Sequence, residues 1–160
     1  MLTVDTHHVD GWVCDLCADE YPEKVANVIA CADNQIADFI RWCRQQPWYS
    51  DTVIVIQGDH PRMDSNSLVD NVNEFDRTIY NCFINTGFNK AELSTSNRVF
   101  TTLDMFPTIL AAMGFFLPED RLGLGTDMFS NKETFAEEFG YNNFQNELIK
   151  YSQYYIDHFW

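Results

Sequence analysis

The sequence predicts an α/β protein with a mostly parallel sheet flanked by helices, and a few segments carry that prediction. Residues 23–46 place apolar side chains at helical spacing, and Pro47 ends the helix. The continuous apolar run Val53 to Ile56 is typical of a strand covered on both faces, as in parallel sheets. Residues 77–87 predict a further strand and residues 101–114 a helix.

The remaining segments complete the predicted order. Residues 2–5 form a short β-prone run, and residues 63–76 are polar and predict a loop. Residues 117–130 are punctuated by glycine and also predict a loop. The tail from Lys132 to Trp160 predicts helix, with a break near Gly140.

The helix predicted over residues 101–114 has signals at both ends. Asp104 is expected to be its N-cap, and Pro107 falls in its first turn, where proline is tolerated. Gly114 is expected to end it. These residues therefore predict structural roles.

Length and charge limit the functions that the chain can have. A chain of 160 residues is long enough for one domain with a real core. Its formal net charge of −14 argues against nucleic acid or an anionic membrane surface as a partner. If the substrate is anionic, a bound metal cation is the candidate that would reverse the local charge.

The longest apolar stretch, residues 105–118, is too short for a membrane span and contains Pro107 and Gly114. The sequence therefore predicts a soluble chain. No signal peptide follows Met1, and the chain enters a strand-like run at once. We expect it to be a fragment of a longer protein.

The five cysteines include one close pair, Cys14 and Cys17, in "VCDLC". A structural zinc site needs four ligands, so one pair alone does not favour it. A local disulfide and two free thiols both remain open, and the odd total leaves at least one free thiol. Cys31 and Cys43 fall in a helical pattern and predict core residues or exposed thiols.

Metal-ligating residue types follow two of the predicted strands. Asp59 and His60 come after the run that ends at Ile56, and His7 and His8 come after residues 2–5. In open α/β sheets, sites form beyond the carboxyl ends of the strands. Carboxylate oxygen and imidazole nitrogen are common ligands of Zn²⁺ and Mn²⁺.

A turn between Gly58 and Pro61 would let Asp59 and His60 reach one ion. The alternative interpretation is a capped turn with a surface histidine. A serine nucleophile served by this pair is not supported, because the chain has no Gly-x-Ser-x-Gly elbow. "GLGTDM" lacks the Lys-Ser/Thr ending of a phosphate-binding loop.

Four segments, in this order, resemble the sulfatase-like phosphoglycerol transferases of the alkaline phosphatase superfamily, which include lipoteichoic acid synthase: "TVDTHHVDG", "ADNQIADFIRWCRQQPWYSDTVIVIQGDHPRM", "NRVFTTLDMFPTILAAMG" and "RLGLGTDMFS". The resemblance runs from about Leu2 to Ser130. It implies an alkaline-phosphatase/sulfatase-like fold, of which residues 1–160 would be the C-terminal portion of the catalytic domain. The N-terminal half and the membrane helices of such proteins would then be absent.

The resemblance also implies a site. Family members hold one Mn²⁺ or Zn²⁺ through a glutamate, a nucleophilic threonine and an adjacent Asp-His pair, which Asp59 and His60 match. His7, with His8 as second choice, matches a histidine that contacts the phosphoglycerol group. Arg62 is a candidate for binding an anionic acceptor or phosphate, the alternative being a solvated loop arginine.

The implied reaction begins with attack of the threonine on the phosphorus of phosphatidylglycerol. Diacylglycerol leaves, and a glycan or glycerol hydroxyl then resolves the phosphothreonine. The glutamate and the threonine belong to the family's N-terminal half, so no nucleophile is expected in this chain. Alone it should bind metal poorly and be inactive. The full-length protein would act at the extracytoplasmic face of the cell membrane.

Two other readings stay open. A sulfatase or phosphodiesterase would hydrolyse rather than transfer; the Cys-x-Pro-x-Arg signature of sulfatases does not occur in this chain, and it would lie upstream. A non-catalytic protein that keeps the fold without the metal centre is the third reading.

Overall fold

The computed structural model describes residues 3–7, 9–61, 78–87 and 97–159. The chain divides into two compact units, Met1–Cys82 and Phe83–Trp160. The described residues form an α/β structure with helices and two small two-stranded sheets. The larger parallel sheet that the sequence predicts is not seen in these ranges. None of the helices within them is long and apolar enough to cross a membrane.

Helix α1, Lys24–Cys43, is the main element of the first unit, within the bounds that periodicity predicted. Its apolar face is buried at Val25, Val28, Cys31 and Cys43. Val28 is fully buried, whereas the opposite face carries charged residues such as Asp38 and Arg41. The amphipathic pattern alone therefore identified this helix.

Strand β1, Ile54–Gln57, pairs with strand β2, Asn81–Ile84. The backbone N–H of Gly58 donates to the carbonyl oxygen of Tyr80 at 2.8 Å, so this hydrogen bonding continues to the residue before Asp59. The strand residues are half-buried rather than covered on both faces. One described neighbouring strand accounts for that partial cover.

The prediction of a strand over residues 2–5 is wrong for residues 3–5, the part of that range that the structure describes. Residues 3–5 form no strand, because the backbone turns back on itself. The N–H of His7 donates to Val4 at 3.1 Å, and the N–H of Trp12 donates to Asp5 at 2.7 Å. The loop predicted over residues 63–76 lies outside the described residues.

The helix predicted over residues 101–114 begins as a 3-10 turn, Thr102–Asp104, and continues as helix α2, Met105–Ala112. Asp104 occupies the N-cap position of α2, as predicted, but its side chain makes no capping hydrogen bond to that helix. It instead completes a capping box with Thr101, which is the N-cap of the preceding 3-10 turn. Gly114 follows the helix with a φ of 86°, as its predicted stop requires.

The glycine-punctuated segment contains a hairpin rather than only loop. Strands β3, Arg121–Leu122, and β4, Gly125–Thr126, pair antiparallel. A Cβ on Gly125 would lie 2.0 Å from the carbonyl oxygen of Leu103, so this position needs glycine. Glycine here marks a close backbone approach, which local sequence signals do not distinguish from a loop.

The tail is helical, as predicted, with its break at Gly140, whose φ is 81°. It consists of α3, Phe135–Phe139, α4, Tyr141–Leu148, and α5, Gln153–Phe159. The buried apolar side chains of the second unit come from these helices and the elements before them: Met105, Ala111, Ala112, Met128, Ala136 and Phe144.

The guanidinium of Arg98 ties several loops of the second unit together. It meets both carboxylate oxygens of Glu137, at 2.8 and 2.9 Å. It also donates to the carbonyl oxygens of Met128, Ser130 and Lys132. Burial raises the pKa of Glu137, but hydrogen bonds from Arg98 and from the N–H groups of Thr134 and Val99 outweigh it and lower that pKa to about 2.

This shift predicts acid sensitivity. Since the folded-state pKa lies below the ordinary glutamate value of 4.5, the stabilisation is present above pH 4.5 and is lost as pH falls toward 2. Glu137→Gln should remove on the order of 3 kcal/mol of that pH-dependent stability, measured by denaturant unfolding across this range. Glu119→Gln, an exposed carboxylate outside the network, controls for the loss of one negative charge. Equal acid sensitivity in Glu137→Gln and the parent would contradict this account.

Candidate active site

Asp59 and His60 follow strand β1 directly, and their side chains converge. His60 Nε2 lies 3.4 Å from Asp59 Oδ2. Both side chains are exposed, 51% for His60 and 84% for Asp59. The β1–β2 hydrogen bonding reaches Gly58, so the pair directly follows paired backbone, and both side chains face solvent.

The ring orientation of His60 makes Nε2 the nitrogen whose lone pair can bind a cation. Its Nδ1 lies 2.9 Å from the carbonyl oxygen of Pro61, which can only accept a hydrogen bond. The proton of the neutral ring is therefore on Nδ1, and Nε2 carries a lone pair toward Asp59. Two electron-rich atoms at this separation are stabilised by a proton or a cation between them.

Asp59 is held as a carboxylate. The backbone N–H of His60 donates to Oδ1 at 2.8 Å, and this hydrogen bond lowers the pKa of Asp59. Burial raises the pKa of Asp59 by less than this hydrogen bond lowers it, and His60 and His7, when protonated, lower it further. His7 therefore lies close enough to Asp59 to act on it electrostatically.

The pair suits a shared cation in its chemistry and its spacing. Tetrahedral ligands about 2.1 Å from Zn²⁺ lie about 3.4 Å apart, which is the observed separation of the two atoms. The Nδ1 contact with Pro61 is the type of support that orients metal-bound histidines. Within the described ranges no third ligand joins the pair at bonding distance, because the one such group of three or more there consists of cysteines. His8 and Arg62, the other predicted site residues, lie outside the described residues.

The turn that carries His7 is fixed by a close contact with helix α1. The N–H of Gly11 donates to the carbonyl oxygen of His7 at 3.0 Å. Gly11 has a φ of 69°, and a Cβ there would lie 2.7 Å from Asp5 O and 2.8 Å from Val28 Cγ1. Only glycine fits both the backbone conformation and the space.

Comparison with curated proteins gives the family. The chain is 32% identical to phosphoglycerol transferase I of Salmonella choleraesuis and 33% identical to that of Escherichia coli, in each case over 137 residues. Each match covers 82% of this chain and 17% of the relative. The chain is a homologue of the phosphoglycerol transferases. No protein-family model and no solved structure matches it.

The homology confirms the predicted resemblance to the phosphoglycerol transferases. The chain spans about a sixth of the length of these phosphoglycerol transferases. What their names state about activity applies to those proteins.

Sequence reasoning missed one cluster of reactive side chains. Cys31 joins Cys14 and Cys17, although helical periodicity placed it in the core or at the surface. All five cysteines are free thiols, so the local disulfide that the spacing left open is not formed. A hydrogen bond with Cys17, and then burial, raises the pKa of Cys31 to about 11. Hydrogen bonds from the Leu16 backbone and from Cys17 lower the pKa of Cys14.

Gly11→Ala should disrupt the turn that holds His7. The left-handed backbone costs about 1–2 kcal/mol for alanine, and the overlap with Asp5 and Val28 should add at least about 1 kcal/mol. Gly114→Ala is the matched control, because Gly114 has a φ of 86° and nothing within 4 Å of the added Cβ. Denaturant unfolding measures both losses, and the His7 ring signals in NMR should shift only in Gly11→Ala. Equal losses in the two variants would exclude the close contact.

Proposed function

We propose that the chain is part of a metal-dependent enzyme that transfers a phosphoglycerol group from a phosphatidylglycerol-type lipid to a glycan or polyglycerol-phosphate acceptor. The observation that carries the proposal is the 3.4 Å approach of His60 Nε2 to Asp59 Oδ2 beyond strand β1. The homologues named phosphoglycerol transferase I support the transferred group. The wider sheet of an alkaline-phosphatase-like fold would be completed by sequence outside this chain.

Asp59 and His60 would hold one Mn²⁺ or Zn²⁺. When bound, the ion would neutralise phosphoryl charge and lower the pKa of an attacking hydroxyl. The lowered pKa of Asp59 keeps its carboxylate ionised, and the Pro61 carbonyl keeps the lone pair of His60 on Nε2. Contacts between neighbouring residues therefore keep both side chains in the state that binds a cation.

His7 would act on the phosphoglycerol group. Its charge reaches Asp59, so it lies in the same electrostatic field as the proposed ligands. A protonated imidazole at this place would stabilise the negative charge that develops on phosphoryl oxygens. The Gly11 turn, packed on Val28, holds the backbone that carries it.

The missing parts of the site would come from outside this chain, which matches 17% of its relatives' length. They include a glutamate ligand and a threonine nucleophile, which would form a phosphothreonine as diacylglycerol leaves. The 160-residue chain alone should therefore not turn over. The full-length protein would act at the extracytoplasmic face of the cell membrane.

The test uses the full-length protein that contains this sequence, with phosphatidylglycerol vesicles and a soluble glucan acceptor. Because one ligand is removed, His60→Ala should slow diacylglycerol release and glycerol-phosphate transfer by at least about 100-fold. His158→Ala is the matched control, since His158 is exposed in α5 and stacks on Tyr154. Circular dichroism should show the same fold for both variants.

Near-parent transfer rates in His60→Ala would remove the proposed site. Release of glycerol phosphate to water, with none on the acceptor, would replace the transferase with a hydrolase. Absence of both products in the parent would leave the non-catalytic interpretation.

A further inference from the structure

The side chains of Cys14, Cys17 and Cys31 converge at one point of the first unit. Cys14 Sγ lies 3.7 Å from Cys17 Sγ and 4.0 Å from Cys31 Sγ. All three sulfur atoms lie within 4.8 Å of one another. Cys31 is buried and the other two are partly buried, so the cluster is shielded without being sealed.

These separations are those of sulfur ligands around one ion. Thiolates bind Zn²⁺ at about 2.3 Å, which puts the sulfur atoms of a tetrahedral site about 3.8 Å apart. A disulfide would need two of these atoms at about 2.0 Å and would leave the third thiol without a role. The convergence of three sulfurs therefore favours a metal over a disulfide.

The backbone between the first two cysteines is folded as a tight turn. The N–H of Cys17 donates to the carbonyl oxygen of Cys14 at 3.0 Å, which brings both side chains to one side. The N–H of Cys14 approaches Cys17 Sγ at 3.3 Å. Backbone donors of this kind stabilise negative charge on sulfur.

One face of helix α1 organises the rest of the cluster. Asn27, Cys31 and Gln35 are spaced four residues apart and lie on the same face. Asn27 Oδ1 accepts from the N–H groups of Glu20 and Tyr21, both at 2.8 Å, and Nδ2 donates to the Tyr21 carbonyl at 2.8 Å. This pins the segment that leads from Cys17 into the helix.

Gln35 lies one helical turn after Cys31, and its side-chain amide contacts the cysteine cluster. Its Nε2 lies 3.3 Å from Cys31 Sγ and 3.9 Å from Cys14 Sγ. An amide donor between two sulfurs is suited to thiolates, which accept hydrogen bonds. The helix thus supplies one ligand and one supporting donor.

We propose that Cys14, Cys17 and Cys31 bind one Zn²⁺ through three thiolates, with the fourth coordination position open to water or another ligand. Binding releases the thiol protons to solvent and transfers no electrons. A cavity of about 240 Å³ borders Cys31 and is lined also by Leu16, Asn27 and Gln35, which leaves space for such a ligand beside the cluster. The site is separate from Asp59 and His60 and does not rest on the proposed transferase activity.

Co²⁺ is the probe, because thiolate ligation gives it intense near-ultraviolet charge-transfer absorption that carboxylate and imidazole ligands do not. The full-length protein, reduced and stripped of metal, is titrated with Co²⁺ and then with Zn²⁺ in competition. The parent should develop the band with one thiolate-bound Co²⁺ per chain, and Zn²⁺ should abolish it. His60→Ala should retain the band, which distinguishes this site from the proposed catalytic metal.

Cys31→Ala should weaken Co²⁺ binding at this site by at least about 100-fold, and Gln35→Ala by about 10-fold. Cys43→Ala is the matched control, since Cys43 is a buried cysteine of the same helix outside the cluster. If Cys31→Ala does not fold by circular dichroism, Cys14→Ser in the preceding loop makes the same test.

A reduced parent without the band overturns the proposal, as does a band that survives in Cys31→Ala or Cys14→Ser. Protein purified anaerobically without chelator gives an independent measurement. One equivalent of bound Zn²⁺ that is released when the thiols are then alkylated supports the proposal. A disulfide between two of the three cysteines in that material would overturn it.

Discussion

The burial of one face of helix α1 is the constraint on which the turn that carries His7 and the cysteine cluster both depend. Val28 is fully buried and meets Gly11, which fixes the turn that carries His7. The preceding residue, Asn27, makes three hydrogen bonds of 2.8 Å with the backbone of Glu20 and Tyr21, in the segment between Cys17 and the helix. Because Asn27 is buried, loss of these bonds would leave its amide unsatisfied, which makes the arrangement costly to break.

The second unit uses buried polar side chains in a similar way. Asp104 accepts hydrogen bonds from the N–H groups of Thr101 and Thr126, each at 2.8 Å. Thr108 donates to the Asp104 carbonyl at 2.6 Å and accepts from the N–H of Met128 at 3.0 Å. These contacts join helix α2 to the hairpin, so Asp104 has the structural role that the sequence predicted, although it acts through distant partners as well as through its local turn.

The two candidate metal sites differ in their ligand atoms and in their exposure to solvent. Asp59 and His60 present an exposed oxygen and nitrogen donor, which suit Mn²⁺ or Zn²⁺ beside an anionic substrate. The cysteine cluster is less exposed and offers sulfur alone, which suits a thiophilic ion such as Zn²⁺. In a chain of net charge −14, a cation bound at either site would offset local negative charge.

The sequence by itself determined helix α1, the strand before Gly58, the helix break at Gly140 and the neighbouring positions of Asp59 and His60. These features depend on periodicity and on residues a few positions apart, which the sequence states directly. Only the tertiary structure decided the turn that replaced the strand at residues 3–5, the hairpin at Gly125, the partners of Asp104 and the convergence of Cys31 with Cys14 and Cys17. Those outcomes depend on contacts between residues far apart in the chain, such as Asp104 with Thr126, and no local pattern encodes which distant group will supply a hydrogen bond or a third sulfur.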